Sequence, residues 1–65
     1  MDPHLEAVVR LATSIAERDH PRLEGIKEMG TRLAVAMDIA LELVGDRVFD
    51  PVQGAFVDPD ERKLH

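Results

Sequence analysis

Leu33-Ala34-Val35-Ala36-Met37-Asp38-Ile39-Ala40-Leu41-Glu42-Leu43-Val44 is the stretch on which the fold turns. At roughly 100° per residue, Thr31, Asp38, Glu42, Gly45 and Asp46 share one narrow stripe with Val35 among them. Leu33, Ala36, Met37, Ile39, Ala40, Leu41, Leu43 and Val44 cover most of the remaining circumference. A surface helix is apolar on one side, whereas a helix apolar nearly all round is buried on several sides. One short partner helix cannot cover that arc. The sequence therefore predicts an all-α chain, an antiparallel helical hairpin whose second flank is covered by another copy in a dimeric four-helix bundle.

Toward the N-terminus, Asp2-Pro3 reads as a helix start, with Asp as N-cap and Pro in the first helical position. Leu5, Val8, Val9, Ala12, Ile15 and Ala16 follow the i, i+3, i+4 spacing of one face, and Glu6, Arg10, Ser14, Glu17 and Arg18 lie mostly opposite. The helix is expected to end near Asp19-His20-Pro21, because a residue before proline is pushed out of the α region. The second helix then starts at Pro21 or only at Thr31. Gly25 and Gly30 each cost about 1 kcal/mol in a helix interior, so residues 22–30 read as a weak turn or two, a kink, or a separate short helix.

Beyond Gly45 the pattern changes. Arg47-Val48-Phe49, Asp50-Pro51-Val52-Gln53-Gly54 and Ala55-Phe56-Val57 read either as strand, turn, strand or as an extended tail whose Phe49 and Phe56 cap the bundle end. Asp58-Pro59-Asp60 repeats the helix-start signal, and a frayed, charged terminus is expected after it. The organisation is thus a helical hairpin over residues 1–48, with helices at about 3–18 and from 21 or 31 to 47. Residues 49–65 form a C-terminal extended segment and tail.

The 65 residues allow one small core, and chains of this length often complete theirs by oligomerisation, metals or disulfides. With no cysteine, a disulfide framework and thiolate metal ligation are excluded. Eight Lys and Arg against thirteen Asp and Glu give a net charge of −5, which opposes nucleic acid and anionic membrane surfaces. The basic residues are scattered among acids. Met1-Asp2-Pro3-His4 lacks the features of a secretory signal, and the most apolar run is too short to span a bilayer. The expected location is the cytoplasm, with neither nucleic acid nor membrane as partner.

No residue pattern points to an enzyme or to a cofactor. His4, His20 and His65 sit at a helix start, a turn and the C-terminus, and no second ligand stands at helical spacing on one clear face. Asp38 and Glu42, one turn apart, could hold a divalent ion or do acid–base work, but the Glu-x-x-His pair of bundle metal sites is absent. They read more simply as a solvated stripe. Gly25 to Gly30 lacks the spacing of a phosphate loop. Thr13 and Ser14 have no activating base, and the second helix is too apolar to read DNA.

His4-Leu5-Glu6-Ala7-Val8 in the first helix, Pro21-Arg22-Leu23 in the turn, and Thr31-Arg32-Leu33-Ala34-Val35 with Ile39-Ala40 and Glu42-Leu43 in the second resemble the helical part of the Z-ring-associated protein A family. Its members are small bacterial factors that stabilise the cell-division ring. The resemblance implies helices that mediate dimerisation. Gly25 to Gly30 stands as an insertion, and the family's N-terminal β-hairpin and long C-terminal coiled coil have no counterpart, so no functional residue is carried over.

The expected function is a non-enzymatic protein–protein interaction module, an adaptor, inhibitor or regulator that self-associates and binds another protein. The expected oligomer interface is Leu5, Val8, Ala12 and Ile15 with Leu33, Met37, Ala40 and Val44; Phe49 and Phe56 are the candidates for docking on a partner. The alternative is a bundle subunit whose Asp38 and Glu42 turn inward to a metal or small molecule.

Overall fold

A computed structural model gives the fold, and it describes residues 2–60. Helix α1 spans Pro3–Ala16, a 3₁₀ turn Pro21–Leu23, helix α2 Met29–Val44, and strands β1 and β2 Val48–Asp50 and Ala55–Val57. The helices pack as a hairpin, and β1 and β2 pair antiparallel at its open end.

The start of α1 is the one the sequence predicts. Asp2 caps it, its Oδ2 accepting the Leu5 N–H at 3.2 Å, and Pro3 occupies the first turn, where its missing donor costs nothing. Glu6 pairs with Arg10 at 2.7 Å one turn on. The helix ends at Ala16, two residues before the expected limit at 18, because Arg18 N–H closes a tighter bond to Ile15 O (3.1 Å).

Of residues 22–30, only 22 and 23 fall in a separate short helix, the 3₁₀ turn; 24–28 are turn and irregular chain, and 29 and 30 open α2. His20 caps the 3₁₀ turn by accepting the Arg22 N–H at Nδ1, 3.1 Å away. Gly25 follows at φ +83°, a conformation an L side chain disfavours. α2 begins at Met29 with no side-chain cap on Glu28. Gly30 thus falls in the first turn, where it costs less than in the interior. The helix stops at Val44 rather than at 47, since Gly45 at φ +58° turns the chain away.

The C-terminal segment forms the β-hairpin. Val48 pairs with Val57, Phe49 with Phe56 and Asp50 with Ala55. Across the pair the two phenyl rings meet edge to face, with centroids 5.5 Å apart. Buried Asp50 organises the turn: its Oδ1 accepts from Val52 N–H at 2.9 Å and its carbonyl from Gly54 N–H at 2.8 Å. Residues 59 and 60 are helical, and the rest of the expected frayed terminus lies outside the described residues.

The core is a narrow seam. Val8, Ala12 and Ala16 of α1 face Ala36, Ala40 and Val44 of α2, with Leu11, Ile15, Met37 and Phe56 partly buried against them. Both stripes repeat every fourth residue, so each forms one ridge along its helix. The connection between the helices is tied down by Arg32. Its Nε donates to Ala16 O (2.9 Å), Nη1 to Leu23 O (3.3 Å) and Ile26 O (2.8 Å), and Nη2 to Arg18 O (3.0 Å). One guanidinium thereby satisfies carbonyls left over at the end of α1 and along the turn.

Candidate interaction surface

The helical hairpin spends its small residues inside and leaves large ones outside. Four of the six seam residues are alanines, while Leu5, Val9, Met29, Leu33, Leu41 and Leu43 remain exposed, Leu41 by 52% and Leu43 by 59%. A closed core normally sequesters its bulkiest aliphatic side chains first.

Several of these residues lie on one side. Around α1, turning one way from Val8 leads to Leu5 and Val9; turning the other way leads to His4 and Leu11. Around α2, Leu33, Met37 and Leu41 form a line at i, i+4, i+8 on one edge of the seam, and Ile39 and Glu42 lie on the other. Both helices are right-handed and they run antiparallel, so Leu5 and Val9 fall on the same side of the hairpin as Leu33, Met37 and Leu41. The opposite side is covered in part. There His4 meets the β-hairpin and Glu42 bonds Arg22 of the 3₁₀ turn at 2.9 Å. Ile39 and Leu23 are buried on that side, while Leu43 is exposed there, away from the line of Leu33, Met37 and Leu41.

The eight residues expected at an oligomer interface therefore divide. Val8, Ala12, Ala40 and Val44 are buried between the chain's own helices, because the ridge that best fits another helix is taken by the nearer partner. Leu5 and Leu33 are exposed, and Ile15 and Met37 are half-buried against the seam. Val9 and Leu41 join the exposed face without having been singled out. Their apolar character at helical spacing was visible, but which flank the first helix would leave open was not.

Phe49 and Phe56 are half-buried, held by each other and by His4. Val52, at the tip of the turn, is 93% exposed. The Asp38 and Glu42 carboxylates are exposed, and among the described residues no three His, Asp or Glu side chains gather as a metal site would need. A recess of about 500 Å³ beside the 3₁₀ turn is lined by Asp19, His20, Glu24 and Arg32, with the Arg32 donors already turned to main-chain carbonyls. A second recess, of about 540 Å³, runs between α1 and the β-hairpin past Ala7, Arg10, Phe49 and Phe56. Among the described residues, no helix is long and apolar enough to cross a membrane.

In comparisons with known proteins, the chain matches no family model, no curated protein and no solved structure.

Proposed function

We propose that this chain is a non-enzymatic interaction module that self-associates through the face formed by Leu5, Val9, Leu33, Met37 and Leu41. The observation that carries the reading is the inverted allocation of side chains, alanines in the seam and leucines outside it. Surface area points the same way. The chain exposes 4821 Å², whereas a compact monomer of its mass exposes about 4,100 Å². Its radius of gyration, 13.3 Å, also exceeds the about 11 Å of a compact chain this long. The resemblance to the helical part of the Z-ring-associated protein A family is in keeping with a dimer.

A second copy related by a two-fold axis would set Leu33, Met37 and Leu41 against the same residues of its partner and close a four-helix bundle. The protein that such an assembly serves would be met by what remains exposed, with the β-hairpin and its Phe49 and Phe56 as first candidates.

The test is Leu41→Glu. Leu41 is half-exposed and outside the seam, so the variant keeps its helicity by circular dichroism. Light scattering over a concentration series then reads association alone. Wild type heavier than a monomer, with Leu41→Glu shifted to monomer, supports the proposal. Wild type monomeric at all concentrations, or a Leu41→Glu variant that associates as before, would sink it.

A further inference from the structure

We propose that His4 is a proton-operated latch: while its imidazole is neutral it holds the β-hairpin against α1, and protonation lets the β-hairpin go. The inference concerns a single chain and does not rest on self-association.

The latch is a hydrogen bond between residues far apart in sequence. Phe49 N–H, in β1, donates to His4 Nδ1 at 3.1 Å. A ring nitrogen accepts only when it carries no proton, and in the imidazolium both nitrogens are donors. Protonation at Nδ1 therefore leaves two N–H groups facing each other where there was one bond. The same ring stands perpendicular to Phe56, with centroids 5.9 Å apart, so a His4 that moves away also gives up an aromatic contact with β2.

None of the described carboxylates is ion-paired with His4. His4 is in the first turn of α1, where the unpaired N–H groups make the local potential positive. On α1 the nearby charged groups are Asp2, Glu6 and Arg10; Asp2 is engaged as the N-cap and Glu6 with Arg10. On the β-hairpin and its approach they are Asp46, Arg47, Asp50 and Asp58, with Asp50 turned to Val52 N–H. On α2, Glu42 is bonded to Arg22.

The segment that would move is short and already hinged. It hangs from α2 through Gly45, at φ +58°, and Arg47, whose N–H bonds Val44 O at 3.1 Å. A two-stranded hairpin is marginal in water by itself, so loss of one anchoring bond tells. Release frees Phe56 from the seam and uncovers the α1 surface around Ala7. Acid would thus expose two aromatic side chains together with the apolar ground beneath them.

The experiment is amide hydrogen exchange followed by NMR on the full chain, with protection of Phe49 N–H compared with that of Ala12 in mid-α1. Measurements at about pH 7.5 and about pH 5 bracket the range in which imidazoles titrate. His20→Asn, in every sample, removes the other described histidine while keeping an acceptor for Arg22 N–H. Phe49 protection should fall about tenfold at the lower pH, the worth of one hydrogen bond, with Ala12 unchanged. In His4→Asn, whose amide oxygen does not titrate, the ratio of Phe49 to Ala12 protection should not vary with pH, whatever its level. A wild-type ratio indifferent to pH, or the same fall in His4→Asn, would overturn the latch.

Discussion

Truncating Arg32 to alanine is the most informative single change in this fold. The side chain makes four hydrogen bonds, all to main-chain carbonyls, reaching Ala16, Arg18, Leu23 and Ile26. Hydrogen bonds from a charged donor are worth about 1.5–3 kcal/mol each, but these share one anchor and do not add. The carbonyl of Arg18 is at the surface, and water replaces the guanidinium there readily. The bonds to Ala16 and Ile26, at 2.9 and 2.8 Å and partly buried, carry most of the effect. Together the loss should come to about 3 kcal/mol. Alanine is the better helix former, so the helix itself contributes nothing to the deficit.

A chain this short is expected to have roughly 3–10 kcal/mol of stability in total. Arg32→Ala should therefore melt about 12–24 °C below wild type, at the usual 4–8 °C per kcal/mol for small domains. Urea unfolding followed by circular dichroism, with both proteins at one concentration because association shifts apparent stability, gives the number. Arg32→Lys should recover about 1 kcal/mol, since one ammonium cannot fork toward carbonyls on three sides. If Arg32→Ala unfolds within about 0.5 kcal/mol of wild type, ordinary for a surface substitution, the clasp does not hold the connection.

Two further changes probe the seam and the cap. Ala40→Leu forces a large side chain where no surface is exposed, and should cost about 1–3 kcal/mol in the same urea experiment; a neutral result would mean the helices part without penalty. Asp2→Ala removes the acceptor for Leu5 N–H and should cost about 1 kcal/mol, with amide exchange speeding up first at Leu5 and Glu6.

What was legible in the sequence was the part governed by local rules. Asp2-Pro3 set the start of α1, and Pro51 with Gly54 framed a turn that the structure closes as a β-hairpin, whereas α2 stops at Val44, ahead of Gly45 and three residues before the expected end at 47. What escaped were decisions between distant segments. Arg32 looked like one more scattered surface charge, because nothing in its neighbourhood along the chain announces four carbonyls brought from residues 16–26. His4 looked like a surface histidine at a helix start, and its partner lies 45 residues away. The interface forecast mixed two faces for the same reason. Periodicity identifies an apolar arc, but which part of the arc the intramolecular helix takes depends on side-chain size, and here the alanines won.

The fourfold spacing of the seam has a consequence for register. Val8, Ala12 and Ala16 against Ala36, Ala40 and Val44 is a pairing that nearly repeats itself when one helix slides past the other by four residues, about 6 Å. Small, similar side chains offer little to tell the correct alignment from its neighbours. Discrimination is added by the larger Leu11, Ile15 and Met37 beside the seam and by the two ends of the helical hairpin, where Arg32 gathers the connecting turn and His4 receives the β-hairpin. The alanines alone would leave the alignment ambiguous, and the polar clasps at either end help to hold it.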